Sequence, residues 1–224
     1  VEDSNTTSTT HGYGANGNNL SLYANGDEKM RIDSLGNVGI GTSSPQEELH
    51  ISAPVPKIRL QDSDGTNQYG EFYHSAGSTV ISSRNNTNDG SIVFQKHSGT
   101  ATDETMRIDS SGNVLVGKSS VGLANVGVEA RNDGLLVATR DGDSVTILNR
   151  KTSDGTIADF RKDGSTVGSI GNNGTAMYIG SPSGSYAFLL FTNNRVQPCT
   201  STGPNRHNII DLGIGRSSFN NIYA

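Results

Sequence analysis

The chain is poor in the residues that build a hydrophobic core. Tryptophan is absent, aromatic residues make up 6 % of the 224 positions, and hydrophobic residues make up 32 %. Average globular domains have an apolar share of about one half. Glycine, serine, threonine and asparagine together supply roughly two fifths of this chain instead. Since so few large side chains offset little of the entropy cost of ordering, we expect further copies of the chain to complete the core.

Positive charge and long apolar runs are also scarce. The chain has 17 basic and 22 acidic residues and no lysine or arginine cluster, which argues against a nucleic acid or an anionic membrane as partner. The longest apolar run, YAFLLF at 186–191, is too short to span a bilayer, so we predict no membrane insertion. A net charge of −5 and recurrent short aliphatic runs argue against disorder.

Cysteine occurs once, at Cys199, which excludes a disulfide within the chain. The alternatives are a buried apolar residue, a free thiol or a link between chains. No signal-peptide pattern is present, and the chain begins at Val1 rather than at methionine. We therefore expect a fragment or a processed product whose targeting information is absent.

Short extended segments, separated by glycine-containing turns every 8 to 12 residues, fill the sequence and predict an all-β protein. Helical periodicity is nowhere sustained. The stretch MRIDSLGNVGIG at 30–41 predicts a hairpin whose turn is Asp33-Ser34-Leu35-Gly36. Its apolar positions are expected on one buried face and Arg31 outside; they are Met30, Ile32, Val38 and Ile40. Gly39 and Gly41 suggest a bend or a close approach of backbone.

The same pattern returns 76 positions later as MRIDSSGNVLVG at 106–117, and more loosely as FRKDGSTVGSIG at 160–171. Further hairpin signals are Asp133-Gly134 before LLVAT and Asp141-Gly142 before SVTILN. Additional strands are expected at KIRLQD, 57–62, and SIVFQK, 91–96. Repetition of one supersecondary unit indicates an elongated object in which each unit packs on its neighbours.

The repeats divide the chain into four predicted segments. Segments 1–52 and 53–120 are shaft segments that each contain one copy of the motif, 121–180 is a third hairpin-rich segment, and 181–224 is a C-terminal segment in which the repeat rhythm ends.

Three stretches resemble long tail-fibre proteins of tailed bacteriophages, especially marine ones. They are EKMRIDSLGNVGIGTSSPQEELHI at 28–51, PKIRLQDSDGTNQYGEF at 56–72 and TSTGPNRHNIIDLGIGRSSFNNIYA at 200–224. The last is similar to the region just upstream of the self-cleaving intramolecular chaperone on such fibres. The resemblance implies an intertwined, elongated homotrimer in the virion, extracellular in its action, that contacts other tail proteins and a bacterial surface glycan or protein. By this resemblance we expect Ala224 to lie before the chaperone, and we expect no virion-attachment segment in this chain.

The sequence predicts no catalytic, cofactor or metal site. The five histidines, His11, His50, His74, His97 and His207, show no metal-ligand spacing. For His50 an axial site shared by three chains is the alternative to an outward imidazole. Most aspartates lie beside glycines and are explained as turn residues, which disfavours the carboxylate pair of a glycosidase.

The leading function is therefore structural and adhesive: a trimeric fibre segment that positions or forms a receptor-binding tip. The alternatives are a polysaccharide-degrading tailspike and a bacterial surface adhesin or extracellular filament. Candidate receptor contacts are the aromatic residues concentrated near the C-terminus, for which a local core is the competing interpretation. These are Tyr186, Phe188, Phe191, Phe219 and Tyr223.

Overall fold

The computed structural model describes residues 12–86, 88–98, 101–181, 188–192, 195–199, 213–214 and 217–218. All regular secondary structure in these residues is β-strand, which confirms the all-β prediction. Among the described residues there is no helix that is long and apolar enough to cross a membrane.

The strands are short and follow one another closely along the chain. In order they are β1 (Gly12–Asn16), β2 (Asn19–Ala24), β3 (Asp27–Ile32), β4 (Val38–Ile40), β5 (Leu49–Ile51), β6 (Lys57–Gln61), β7 (Gln68–Ser75), β8 (Ser78–Asn85), β9 (Asn88–Asp89), β10 (Ile92–Ser98), β11 (Ala101–Ile108), β12 (Val114–Val116), β13 (Gly127–Ala130), β14 (Leu136–Thr139), β15 (Gly155–Lys162), β16 (Ser165–Asn173), β17 (Ala176–Gly180), β18 (Phe188–Thr192), β19 (Arg195–Cys199), β20 (Gly213–Ile214) and β21 (Ser217–Ser218).

Each sheet is a meander in which sequential strands are neighbours. The sheets are β1–β5, β6–β9, β10–β14, β15–β19 and the pair β20–β21. All pairings are antiparallel except β4 with β5, which is parallel. The chain forms two compact units, Val1–Asp143 and Ser144–Ala224. The sheet β10–β14 continues across residue 120, where the repeat pattern places a segment boundary.

The turn of the repeated hairpin is the one that its sequence predicts. Asp33 Oδ1 accepts hydrogen bonds from the amides of Leu35 and Asn37, both at 2.9 Å, and Gly36 has a φ of 91°. Asp109 makes the same bonds to Ser111 and Asn113 in the second copy. A short side chain that accepts from backbone amides and a glycine in the left-handed region fix both turns.

The two faces of this hairpin are used differently from the prediction. Met30 lies opposite Ile40 and Ile32 opposite Val38, so the four apolar residues do share one face. That face is open within the chain, because Ile32 is 36 % and Ile40 is 40 % exposed. Arg31 lies on the other face, yet its side chain is only 14 % exposed and contacts Glu28. The predicted buried and outer faces are therefore interchanged in the single chain.

Gly39 is needed because backbone approaches it closely, as the sequence suggests. A Cβ at Gly39 would lie 2.6 Å from the backbone oxygen of Thr42, and one at Gly41 would lie 2.2 Å from that of Ser52. In the second copy Leu115 occupies the position of Gly39 and is fully buried. The covered face of the sheet is thus filled by returning backbone in one copy and by a side chain in the other.

The remaining hairpin signals have different outcomes. Asp163 and Gly164, with φ of 51° and 79°, join β15 to β16, and Gly134 (φ 89°) lies in the turn from β13 to β14. The predicted strands at 57–62 and 91–96 correspond to β6 and β10. The hairpin expected at Asp141-Gly142 is wrong for the single chain, because residues 144–150 contain no strand.

Candidate assembly interface

The sheet β1–β5 carries one continuous apolar face. Its cross-strand partners align Leu20 with Ile32 and Val38, and Leu22 with Met30 and Ile40. The parallel strand β5 extends the face with Leu49 and Ile51. Large side chains on this face remain exposed: Tyr13 62 %, Leu20 44 %, Leu22 40 % and Leu49 52 %. No layer of the described residues covers this face.

The sheet β10–β14 repeats this arrangement with different residues. Partners across the strands align Phe94 with Met106 and Val116, and Val116 with Val128. The edge strand β14 adds Leu136 and Ala138 to the same face. Phe94, Val116, Val128 and Leu136 are between 42 % and 72 % exposed. The two copies of the motif therefore present equivalent open surfaces.

The other two large sheets show the same division of faces. In β6–β9, Ile58 lies opposite Phe72 and Phe72 opposite Ile81, and Leu60 on the same face is 77 % exposed. In β15–β19 the open face is formed by side chains that are each at least 36 % exposed: Phe160, Met177, Ile179, Leu189, Phe191 and Val196. We refer to these four surfaces as the open apolar faces. The large apolar side chains are adjacent on each sheet and form patches, and patches of this kind are typical of interaction surfaces.

Two open apolar faces meet at a pocket in the first unit. Leu49 and Ile51 from β5 line it together with Ile58 and Phe72 from the next sheet. The volume is about 230 Å³ and the lining is mostly apolar. The pocket is a depression within the apolar surface, and its rim carries the polar side chains His74 and Thr79.

The face of β1–β5 opposite to its open apolar face carries an ion pair, and a β-bulge brings the two charged residues to the same side of the strand. Residues i and i+3 of a regular strand lie on opposite faces, but the register shifts at Leu22/Tyr23. The shift brings Glu28 and Arg31 together, with Nε–Oε1 and Nη2–Oε2 distances of 2.7 Å. Hydrogen bonding to Arg31 lowers the pKa of Glu28.

The second copy repeats this device. Its register shifts at Phe94/Gln95, and Arg107 donates Nε to Glu104 Oε1 at 2.7 Å. The bonds from Arg107 likewise lower the pKa of the Glu104 carboxyl. Both copies read Glu-x-Met-Arg, a signal that the sequence analysis missed. The bulge explains why this arginine belongs to a covered polar face.

The polar face of β6–β9 is a ladder of cations and rings. Lys57 and Arg59 both donate to Glu71, at 3.2 Å and 2.8 Å, and the Glu71 side chain is 6 % exposed. Lys57 Nζ lies 4.4 Å from the ring centroid of Tyr73, and the Arg59 guanidinium carbon lies 4.0 Å from that of Tyr69. Hydrogen bonding to Arg59 is the main cause of the lowered pKa of Glu71. Lys57 and Arg59 thus stabilise the pairing of β6 with β7 through ion pairs and cation–π contacts.

An ionic cluster around the fully buried Glu129 lies on the polar face of β10–β14. Glu129 accepts from Lys118 at 3.0 Å, from Arg131 at 2.6 Å and from the amide of Gly122 at 2.9 Å. Lys118 Nζ also donates to the carbonyl of Gly122 at 2.6 Å. Burial raises the pKa of Glu129, but these bonds outweigh it and lower the pKa to about 2. The cluster fastens the loop before β13 onto the sheet.

The predicted receptor contacts are divided by the structure. Phe188 is 1 % exposed and packs with Tyr178, Leu190 and Cys199, with ring centroids of Tyr178 and Phe188 5.6 Å apart. As placed, Phe188 belongs to a local core and is not available to a ligand. Phe191 is 36 % exposed on the open apolar face. Tyr186, Phe219 and Tyr223 lie outside the described residues.

The remaining candidate residues have ordinary surroundings. Cys199 is buried, which matches the apolar interpretation, and burial raises the pKa of its thiol. The ring nitrogen Nδ1 of His50 accepts from the amide of Gln46 at 3.3 Å. No cluster of three or more histidine, cysteine or acidic side chains that could hold a metal occurs in the part of the chain that the structure describes.

Comparison with known proteins returns no relative: no family model matches the chain, and neither a curated protein nor a solved structure is significantly similar to it. The open apolar faces are thus the most informative functional feature of the molecule.

Proposed function

We propose that this chain is a segment of a homotrimeric fibre that positions a receptor-binding tip at a bacterial surface. The observation that carries the proposal is the set of open apolar faces on all four large sheets. A single copy leaves this surface in water, and association of copies would bury it at a gain of about 25 cal/mol per Å². The number of three copies and the virion location rest on the resemblance to tail fibres.

The positions of the charged residues also support burial of the open apolar faces between copies. The ion-pair faces satisfy their own charges and tolerate water, as at Glu71 with Lys57 and Arg59. On the open apolar face of β10–β14 the partners from Phe94 to Ala138 are apolar, whereas the far ends of β10 and β11 pair Lys96 with Asp103. Association through the apolar part of these faces would therefore desolvate few charged groups. No catalytic role enters this proposal.

Light scattering tests the assembly. We expect a mass of about three times the 23.5 kDa of one chain. The substitution Leu60→Asp places a charge on the open apolar face and should shift the protein to monomer. Gln61→Asp is the matched control, because Gln61 is the next residue on β6, is exposed and lies on the opposite face. A wild-type monomer at micromolar concentration, or equal behaviour of the two variants, would contradict the proposed interface.

Adhesion is tested separately with the assembled protein. Labelled wild-type trimer should adsorb saturably to a subset of a panel of bacterial strains, and unlabelled trimer should compete. Absence of saturable adsorption across the panel would remove the receptor-binding role and leave a shaft. Release of reducing sugars from purified surface polysaccharide would instead support the tailspike alternative.

A further inference from the structure

The segment Val145–Asn149 has the composition of a strand but forms none. Its residues are all exposed, with Val145 50 %, Ile147 79 % and Leu148 59 % accessible. This segment forms no backbone or side-chain hydrogen bond with another residue that the structure describes. Five successive residues with a β-branched, apolar pattern and unpaired peptide groups are a template for pairing with another strand.

The strand β14 offers a complementary edge. It lies at the end of the sheet order β10–β14, and among the described residues β13 is its strand partner. Leu136, at the start of β14, is 72 % exposed. The edge therefore presents backbone groups together with an apolar side chain.

The sequence between these two segments encodes how they would pair. A two-residue turn at Asp141-Gly142 sets Leu136 opposite Ile147 and Ala138 opposite Val145. Gly142 already has a φ of 72°, and Arg140 contacts Asp143 across the turn at 2.8 Å. In that register Val145 and Ile147 would extend the open apolar face to which Leu136 and Ala138 belong. The sequence thus contains both the turn and the matching apolar pattern of a hairpin, although the single chain leaves the second strand unpaired.

We propose that Val145–Asn149 of one copy pairs as a sixth strand with β14 of a neighbouring copy. Exchange of an element between identical chains needs no new surface, because the exchanged strand makes the same contacts with β14 that it would make in a closed hairpin. The neighbouring copy is the occupant because the described residues of the single chain leave both Val145–Asn149 and the outer edge of β14 without a strand partner. This inference rests on the proposed assembly of several copies.

Engineered disulfides test the pairing. In the double variant Leu136→Cys/Ile147→Cys the two residues would be direct cross-strand neighbours, whose spacing suits a disulfide. After mild oxidation of the assembled protein and alkylation of free thiols, most of the chain should run as covalently linked oligomer on a non-reducing denaturing gel. Leu136→Cys/Thr146→Cys is the matched control, because Thr146 would point to the opposite face and should link little.

The outcomes separate this inference from the assembly itself. An internally linked single chain would mean that the hairpin closes within one copy and would overturn the exchange, as would an unlinked trimer. A monomeric protein by light scattering would overturn both proposals. Hydrogen exchange on the unmodified protein gives an independent readout: the amides of 145–149 should be protected in the assembly, and rapid exchange there would show a solvated linker.

Discussion

Buried charge in this chain is retained where every oxygen has a donor. Glu129 is fully buried, an environment that strongly disfavours a lone carboxylate. Lys118, Arg131 and the amide of Gly122 supply its donors, and Lys118 finds a further acceptor in the same loop. Loss of one member would leave an unpaired charge inside the protein. A cluster of this kind specifies one position of the loop rather than adding much net attraction.

The cluster predicts acid sensitivity with a defined sign. The folded pKa of Glu129 is about 2 and the ordinary value is 4.5, so its contribution to stability is complete above about pH 4.5 and is lost as the pH falls toward 2. Melting of the wild type and of Glu129→Gln should therefore differ by several degrees at pH 7, and the difference should shrink across this window. The measurement is thermal unfolding followed by circular dichroism at stepped pH.

The exposed Glu47 provides a matched control for this experiment. Other carboxylates titrate in the same acid range, and the comparison of two variants with the wild type removes their common effect. Glu47→Gln should follow the wild type at every pH. A constant gap between the wild type and Glu129→Gln down to pH 2 would contradict the assigned role of the Glu129 carboxylate.

At the scale of elements, the repeated hairpin is a turn joined to a bulge. The aspartate organises the turn, and the shifted register two residues before the arginine aligns it with a glutamate. Both copies keep these features although Leu115 replaces Gly39. The unit is therefore conserved within the chain by its backbone geometry, while the covered face is filled in different ways.

Asp109→Ala should weaken the second copy of this unit. Asp109 accepts from the amides of Ser111 and Asn113 and from the side-chain amide of Asn113, each at 2.9 Å. Hydrogen bonds of this kind contribute about 1 kcal/mol each, so a loss of about 1–3 kcal/mol in unfolding free energy is expected. Denaturant unfolding measures it, with exposed Ser110→Ala as control. Equal midpoints for the two variants would show that the glycine alone fixes the turn.

The sequence predicts which residues share a face of a sheet better than it predicts whether that face is buried. Alternation assigns Ile32 and Val38 to one side of the sheet because side chains alternate strictly along a strand. Whether that side is covered depends on other segments or other chains, and here Ile32 is open whereas Arg31 is enclosed. The bulge could be predicted only from the Glu-x-Met-Arg pattern that the two copies share. The buried Lys118–Glu129 ion pair could not be predicted, because the two residues are 11 positions apart and belong to no recognisable sequence motif.

For the whole molecule, the proposed assembly would couple folding of each chain to association of the copies. Each large sheet has an exposed apolar face; its other face carries ion pairs in β1–β5, β6–β9 and β10–β14 and a small hydrophobic core around Tyr178 and Phe188 in β15–β19. Much of the driving force for ordering would then come from contacts between copies. Stability and oligomerisation become inseparable, so apparent melting temperatures should depend on protein concentration.

Refolding is where this coupling should be most visible. In the proposed trimer, three chains would have to meet in a common register before the open apolar faces are buried, and two nearly identical hairpins 76 residues apart offer a second register with similar contacts. We predict that the denatured chain, diluted into buffer, gives mostly aggregates and misregistered species. By resemblance to tail fibres, co-expression with the natural downstream segment should give trimer, which a high unfolding barrier then maintains. Trimer yield after dilution, measured by size-exclusion chromatography, decides between these expectations. Rapid recovery of most of the native trimer from residues 1–224 alone would show that the chain encodes its own register, because nothing else would then be present to supply it.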